Sequence, residues 1–192
     1  MSPARARTSL PAIIAAAREL LEEGGLDAVS MVAVARRVGI RPPSLYKHVR
    51  DRGDLLAAVA TAVALDLGDL VAAAAERAGP DPSERLRALA AAYRSFALAT
   101  PRSAALLFAG ATPGAEPTPA AQAEAARPVL ETVRAIVGEE RSLPAARVVT
   151  AFAYGFASME AAGAFRFGGD VAEAYRLGVD VLLAGLEADV GR

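Results

Sequence analysis

The sequence predicts an all-α protein. Ala and Leu dominate its 192 residues, hydrophobic residues make up 54% of them, and aromatic residues only 5%. Apolar side chains recur at spacings of three and four, the period of one face of an α-helix, and the alternation typical of a half-buried strand is absent. Gly and Pro fall between the periodic segments, where these residues end helices. We therefore predict about nine helices.

The periodic segments divide the chain into two predicted domains. The predicted helices cover residues 10–23, the stretch between Ser30 and Gly39, and residues 42–49, 54–77, 83–99, 103–108, 120–137, 144–165 and 170–188. The 54–77 helix contains no proline and runs directly out of the first three helices, so we expect it to link them mechanically to the rest. The predicted domains are therefore residues 1–53 and residues 54–192.

Residues 30–55 carry the most informative pattern in the chain. Ser30 is a helix-capping residue ahead of a short apolar helix. Gly39 ends that helix, because a residue without a Cβ adopts the left-handed conformation at little cost. Pro42 or Pro43 has a φ preset for a first helical turn, so a second helix starts at once. Two helices joined in this way form a helix-turn-helix, whose second helix enters the major groove of DNA.

The second helix of this motif has one apolar face and one polar face. Leu45 and Val49, four residues apart, face inward against the small side chain of Ala35. Polar and basic residues occupy the other face and its flanks, namely Ser44, Tyr46, Lys47, His48, Arg41, Arg50 and Arg52. Side chains of these types bind phosphates and the edges of bases, so the motif predicts a partner that is double-stranded DNA.

The net charge of −1 hides an uneven distribution. Residues 1–53 hold nine Arg or Lys against five Asp or Glu, a net charge of +4, whereas the remainder holds 12 against 17, a net charge of −5. A local basic face increases affinity for DNA even in a chain near neutrality, because each phosphate contact releases a counterion. Arg5 and Arg7 are either contacts to an adjacent groove or phosphate, or part of a solvated tail.

Four short motifs follow one another within this segment: Ala-Arg-Arg-Val-Gly-Ile at 35–40, Pro-Ser-Leu-Tyr at 43–46, His-Val at 48–49, and Arg52 shortly before Leu55 and Leu56. Together they resemble the DNA-binding domain of the TetR family of bacterial transcriptional repressors. The resemblance implies that Tyr46 and Arg52 hold phosphates and that residues at the start of the recognition helix contact bases. The predicted DNA-binding residues are Ser30, Arg41, Pro42, Pro43, Ser44, Tyr46, Lys47, His48 and Arg52.

One position departs from the family pattern, which usually has a Lys followed by a helix former where Arg52 and Gly53 stand. Glycine inside a helix costs roughly 1 kcal/mol relative to alanine. The departure therefore predicts a late or frayed start for the fourth helix.

The resemblance also implies a function for the whole chain: a regulator that binds a palindromic operator as a homodimer and is released by a small-molecule effector. Residues 1–53 would bind DNA, and residues 54–192 would bind the effector and form the dimer. A two-fold symmetric operator needs two recognition helices about 34 to 36 Å apart, which one chain does not supply. The alternative is a helical DNA-architectural or interaction protein without ligand control.

Small residues form a stripe on each of the last two predicted helices. The two stripes are Ala151, Gly155, Ser158 and Ala162, and Ala174, Gly178, Val181 and Gly185. Residues spaced by three and four share a helix face, and small side chains let helices approach closely. We predict that two chains pair these helices in a four-helix dimer interface. The alternative is that the stripes pack against each other within one chain.

Large apolar side chains in the second predicted domain are candidate walls of an effector cavity. They are Leu67, Leu89, Tyr93, Phe96, Leu106, Phe108, Phe152, Phe156 and Met159. Aromatic and Met side chains between helices line apolar ligand sites, although each such residue is more often part of a plain core.

Residues 152–160 read Phe-Ala-Tyr-Gly-Phe-Ala-Ser-Met-Glu and resemble a signature of TetR-like C-terminal domains that typically reads Trp-His-Gly. Ala153 and Tyr154 replace the Trp-His pair here. For Glu160, which lies among apolar neighbours, we favour a solvated carboxylate or a pair with Arg166 over contact with a ligand.

The sequence argues against an enzyme. It has no Cys, a single His on the predicted DNA face, and no Gly-rich phosphate loop after a strand. The same features predict no metal site and no cofactor. We expect no membrane span, because acidic residues such as Asp54, Asp66 and Asp69 interrupt every apolar run before ~18 residues. The start of the chain lacks the apolar core of a secretory signal, so we expect a cytoplasmic protein.

Overall fold

The computed structural model describes residues 9–108 and 114–189, and within these ranges the protein is all-α, as predicted. The helices are α1 (Leu10–Gly24), α2 (Met31–Val38), α3 (Pro42–Leu45), α4 (Arg52–Arg77), α5 (Pro82–Ala99), α6 (Pro101–Phe108), α7 (Pro119–Val137), α8 (Glu139–Ala161) and α9 (Val171–Asp189), with one 3-10 turn at Leu26–Ala28. The prediction of about nine helices is therefore confirmed for the described part of the chain.

The chain forms two compact units. The first combines the N-terminal residues up to Val63 with a later segment, Arg102–Thr118. The second combines Ala64–Pro101 with the residues from Pro119 onward. Helix α4 begins in the first unit and ends in the second. The compact units therefore divide differently from the predicted domains, because α6 belongs with the N-terminal helices. The predicted boundary between residues 53 and 54 concerns which residues bind DNA and which bind the effector, and it stays a prediction.

Glu22 holds α6 in the first unit. Its carboxylate accepts hydrogen bonds from the backbone N–H groups of Arg102 (3.3 Å) and Ser103 (2.7 Å), in the first turn of α6, where amides have no partner within the helix. In return, the guanidinium of Arg102 donates to the backbone carbonyl of Glu22 in the last turn of α1, at 2.6 Å. The end of α1 and the start of α6 thus satisfy each other's unpaired backbone groups.

The core of the first unit lies between α1, α2, α3 and the start of α4. Its most buried residues are Ile13, Ala17, Leu21, Val29, Val34, Ala35, Leu45, Leu55, Leu56 and Val59. The apolar stripe of α1 supplies the first three, at the three- and four-residue spacing that predicted this helix. These contacts fix α2 and α3 on α1 and so determine which side of the helix-turn-helix is left exposed.

In the second unit, α5, α7, α8 and α9 pack around two groups of buried residues. One group is Leu86, Val133, Ala145, Val149 and Leu183, and the other is Ala90, Tyr175 and Val179, against which Phe152 and Phe156 pack. The second group, with the rings that pack against it, contains three of the eight aromatic side chains of the unit, which makes it relevant to the effector site considered below.

Helix α8 differs from its predicted bounds at both ends. It begins at Glu139 rather than at Pro144, because Gly138 (φ 79°) separates it from α7 and two acidic residues, Glu139 and Glu140, favour a helix N-terminus. Pro144 lies within the helix, so the expectation that it marks the first turn was wrong. The helix ends at Ala161, before Gly163, whose φ of 65° is left-handed.

The expectation that no helix is apolar enough to cross a membrane was wrong for α4. This helix is long enough, and an 18-residue window in it has a mean hydropathy of 1.9, because Ala, Val and Leu outweigh its few acidic residues. Half of that window is buried in the protein, and Leu55, Leu56 and Val59 belong to the core. A core helix of a water-soluble protein passes the same test of length and composition.

Two valines on α2 provide a matched test of this core. Val34 is fully buried, whereas Val32 on the same helix is 67% exposed. We expect Val34→Ala to lower the free energy of unfolding by about 2 kcal/mol, since it removes buried methyl groups and leaves a cavity. Val32→Ala should change it by less than about 0.5 kcal/mol. Thermal and denaturant unfolding would measure both, and equal effects would contradict the described packing of α2.

Candidate functional site

The turn of the helix-turn-helix has the predicted geometry. The Ser30 hydroxyl accepts a hydrogen bond from the Ala33 N–H at 3.1 Å and caps α2. Gly39 adopts the left-handed conformation (φ 77°, ψ 29°), and the Ile40 N–H returns to the Ala35 carbonyl at 2.9 Å. The cap and the turn that sequence patterns predicted are therefore confirmed. The additional assignment of Ser30 to the DNA interface stays a prediction.

The recognition segment is shorter as a helix than the predicted 42–49. Helix α3 ends at Leu45, and residues 46–48 form turns in which the His48 N–H bonds the Leu45 carbonyl at 2.9 Å. Leu45 and Val49 are buried, as predicted, at 0% and 3% exposure. Tyr46, Lys47 and His48 therefore project from a turn held at both ends by core side chains.

The predicted DNA-binding residues fall on an exposed surface of the first unit. Arg41, Pro43, Tyr46, Lys47 and His48 are exposed, and Ser30, Pro42, Ser44 and Arg52 are partly exposed. Tyr46, an aromatic residue, keeps 55% of its surface in solvent. Such exposure of a large ring suits a residue that contacts a partner.

Two arginines near this surface are engaged within the protein. Arg37 bonds both Glu19 (2.9 Å) and Glu23 (2.6 Å), which fastens α2 to α1. Hydrogen bonding to Glu23 and Glu19 raises the pKa of Arg37, and its hydrogen bond lowers the pKa of Glu23. Arg50 pairs with Asp54 at 2.8 Å, four residues further on. All three ion pairs lie at the surface, so their contribution to stability is small.

Arg52 has a structural role that the sequence did not reveal. Its guanidinium donates to the backbone carbonyls of Val29 (2.7 Å) and Leu26 (2.5 Å), which ties the start of α4 to the 3-10 turn and to the loop ahead of α2. The predicted role of Arg52 as a phosphate anchor is untested. The bonds to the two carbonyls account for its position without DNA.

Helix α4 starts at Arg52, so the predicted late or frayed start was wrong. The Asp51 carboxylate accepts the Asp54 N–H at 2.8 Å and caps the helix. The Asp54 carboxylate in turn accepts the Arg50 N–H at 2.9 Å. Gly53 lies in the first turn, where residues have no helical hydrogen bond to an earlier carbonyl, so the usual penalty for glycine in a helix interior is reduced.

Three cations of the helix-turn-helix have side chains that form no ion pair or hydrogen bond with the described residues: Arg36, Arg41 and Lys47. All three are exposed. They are the positive charges most available to phosphates. Arg5 and Arg7, for which contacts to DNA were an alternative, lie outside the described residues.

The predicted effector-site residues are divided between the two units. Leu106 and Phe108 belong to the first unit, and the others to the second. Leu67, Leu89 and Tyr93 are buried, Phe96, Leu106, Phe152 and Phe156 partly buried, and Phe108 and Met159 exposed. The structure thus supports an aromatic cluster smaller than the predicted set.

The aromatic cluster of the second unit joins α8 and α9 through Tyr175, which was not among the predicted effector-site residues. The Tyr175 ring lies 5.5 Å from Phe152 and 5.2 Å from Phe156, and Phe165 lies 4.7 Å from Phe156. The Tyr175 hydroxyl donates to the Ala90 carbonyl at 2.9 Å, and burial raises its pKa. Sequence reasoning could have found Tyr175 as an aromatic residue at helical spacing within the last predicted helix.

Glu160 pairs with Arg94 rather than with Arg166. Both carboxylate oxygens face the Arg94 guanidinium, in a fork of two hydrogen bonds that is largely buried. The Arg94 guanidinium also lies over the Tyr175 ring, at 5.7 Å from its centre. The expectation of a solvated carboxylate or a pair with Arg166 was therefore wrong in both forms, because Arg94 on α5 comes closer than a residue in the loop after α8.

Most of the predicted dimer stripe is exposed in the single chain. Six residues of the two stripes are exposed, namely Ala151, Ser158, Ala162, Ala174, Val181 and Gly185. Gly155 is partly exposed. Gly178 differs, because a Cβ at that position would lie 2.3 Å from the Phe152 ring of the same chain. The role of the stripes in a dimer stays a prediction; of their three glycines, Gly178 is the one at which a Cβ would meet described atoms of its own chain.

An all-helical chain with an exposed basic helix-turn-helix and a separate helical unit defines a helical DNA-binding regulator. Comparison with known proteins specifies the family. Residues 13–59 match the family model "Bacterial regulatory proteins, tetR family", and residues 86–182, about half of the chain, match "Tetracyclin repressor-like, C-terminal domain". The chain belongs to the TetR family of transcriptional regulators, a family of regulators rather than enzymes.

Three similar proteins illustrate this relationship. The tetracycline repressor protein class A from transposon 1721 of Escherichia coli is 35% identical over 112 residues, 58% of this chain and 50% of that protein. A protein with unknown function from Rhodococcus sp. RHA1 has a TM-score of 0.83 at 30% identity, over 97% of this chain and 100% of that one. A single-residue variant of TetR from Acinetobacter baumannii AYE, in complex with minocycline, has a TM-score of 0.69 at 25% identity, over 95% and 98%. The chain spans about half or less of the length of the curated relatives it matches.

Arg52 and Arg50 offer a matched pair for the structural role of Arg52. Arg52→Met removes two hydrogen bonds from a charged donor, and we expect it to lower the free energy of unfolding by about 1.5 to 3 kcal/mol. Arg50→Met removes an exposed pair, since the Arg50 side chain is 84% exposed, and we expect it to lower the free energy of unfolding much less than Arg52→Met does. Denaturant unfolding would measure both, and an Arg52 variant as stable as the wild type would exclude the structural role.

Proposed function

We propose that this protein is a ligand-responsive repressor that binds a palindromic operator as a homodimer and is released by a small molecule. The observation that carries the proposal is the exposed, uncommitted set Arg36, Arg41 and Lys47 beside Tyr46 on a well-formed helix-turn-helix. Membership of the TetR family supports it. A protein acting in this way works where the chromosome is, so we expect it in the cytoplasm.

Homodimer formation through α8 and α9 is supported by their exposed faces. Besides the small residues of the stripe, Leu177 and Val181 on α9 are 63% and 62% exposed, and Val148 on α8 is 51% exposed. Apolar side chains of this size rarely remain in water side by side unless they meet a partner. A two-fold pairing would also supply the second recognition segment that a palindromic operator requires.

The effector domain is proposed to be the second unit, and its aromatic cluster of Phe152, Phe156, Phe165 and Tyr175 supports an apolar or aromatic effector. The similar TetR variant from Acinetobacter baumannii AYE is in complex with minocycline. We propose that this chain binds an effector of comparable size, without assigning that compound to it.

Two continuous connections support the proposed coupling between effector and DNA. Helix α4 carries the chain from the first unit into the second. A shift of α4 on effector binding would therefore change the separation of the two helix-turn-helix motifs in a dimer. The other connection is the α5–α6 link, since α6 is bound to α1 through Glu22 and Arg102. A coupling free energy of ~1 to 3 kcal/mol would change operator affinity roughly 5- to 150-fold.

Selection of bound sequences from a random duplex library tests the proposal. We expect recovery of a two-fold symmetric site bound by two chains. A helical DNA-architectural protein would instead return an unenriched pool, and that result would contradict the repressor. Titration of the complex on the selected site with lipophilic and cationic compounds, tetracyclines included, would then test release by an effector.

Tyr46 and Lys47 have different proposed roles on the selected operator. Tyr46→Phe should weaken binding to all duplexes alike, because a phosphate contact carries no sequence information. Lys47→Ala should change which sequences are preferred, by about 1 to 3 kcal/mol at the affected base pair. Repeating the selection and the binding titration with each variant would measure both effects. Equal, sequence-independent losses from the two variants would contradict these roles.

A further inference from the structure

The chain contains a single lysine. Of its 21 basic residues, 20 are arginine, and Lys47 is the exception. Lysine and arginine differ in reactivity, because a guanidinium keeps its proton in proteins whereas the ε-amine of lysine is readily acylated. Every lysine side-chain modification of this protein therefore falls on one position.

That position is exposed at the centre of the DNA-binding surface. Lys47 lies in the turn after α3, between the exposed residues Tyr46 and His48. The buried side chains of Leu45 and Val49 hold this turn on either side. A reagent in solution therefore has access to the Lys47 amine without any unfolding.

Lys47 also supplies a large share of the charge available to DNA. In the described part of the helix-turn-helix, Arg37 bonds Glu19 and Glu23, Arg50 bonds Asp54, and Arg52 bonds two carbonyls. The uncommitted cations are Arg36, Arg41 and Lys47. Neutralising Lys47 removes one of these three charges, and it is the one that can be neutralised reversibly.

We propose that Nζ of Lys47 is an acylation site that controls operator binding, an inference that rests on the proposed function. The acyl donor belongs to the class of acyl phosphates. The unprotonated amine attacks the acyl carbon, an N–C bond forms as the C–O bond to phosphate breaks, and inorganic phosphate leaves. The amine loses a proton to solvent, and the product is a neutral amide. No electrons are transferred.

The amide weakens binding in two ways. Besides the base contact proposed for Lys47, it removes a positive charge that lies close to the phosphates, and release of about one counterion by such a charge is worth roughly a factor of five at physiological salt. It also adds an acyl group where the recognition turn approaches the DNA. We therefore expect at least about a fivefold loss of operator affinity, and a decrease of about 0.9 in the slope of log affinity against log salt.

The experiment treats the purified protein with acetyl phosphate and locates the adduct by peptide mass spectrometry. Binding to the selected operator is then titrated at several salt concentrations. Lys47→Arg is treated in parallel, because it keeps the charge, cannot be acylated at this position, and still carries the N-terminal amine. Each protein is compared with its own untreated sample. Lys47→Gln serves as a second variant that lacks the charge without chemical treatment.

The inference is supported if acetylation at Lys47 lowers wild-type affinity at least about fivefold, lowers the salt slope, and leaves treated Lys47→Arg at its untreated affinity. It is overturned if Lys47 does not react, if the acetylated protein binds as before, or if treated Lys47→Arg loses as much affinity. A wild-type protein that binds no selected operator before treatment contradicts the proposed function instead, so the two failures are distinguishable.

Discussion

The tie between Arg52 and the carbonyls of Leu26 and Val29 determines where the long helix of this protein begins. A guanidinium presents several donors in one plane, so a single side chain can bond the carbonyls of Leu26 and Val29 at once. The cap from Asp51 fixes the same end of the helix independently. Together with the buried side chains of Leu55, Leu56 and Val59, these hydrogen bonds hold the first turns of α4 on the helix-turn-helix, and α4 continues without a break to Arg77.

The contact of Glu22 with the start of α6 gives the first unit a composition that chain order does not suggest. A carboxylate at a helix N-terminus and a guanidinium at a helix C-terminus each favour the local helix dipole, so the arrangement is stabilised at both ends. The segment after Pro101 is thereby part of the unit that contains the helix-turn-helix. Each of the two compact units therefore combines two separate segments of the sequence.

Local features were predictable from the sequence, and tertiary ones were not. The Ser30 cap, the Gly39 turn and the buried Leu45 depend on residues within a few positions of each other. The partners of Arg52 lie 23 and 26 positions away, and the partner of Glu160 lies 66 positions away. No spacing rule reports such distances, which is why Arg52 was given only a DNA role and Glu160 the wrong partner.

Gly178 illustrates how one residue can serve two surfaces. The small-residue pattern predicts that Gly178 lets another chain approach. The Phe152 ring of its own chain, however, already occupies the space that a side chain would fill. No Cβ separates that ring from the backbone of α9. A rotation of Phe152 therefore presses directly on the main chain of the helix that also carries Val181 and Leu177 to the surface. The aromatic interior and the outer face of α9 are separated by one helix backbone.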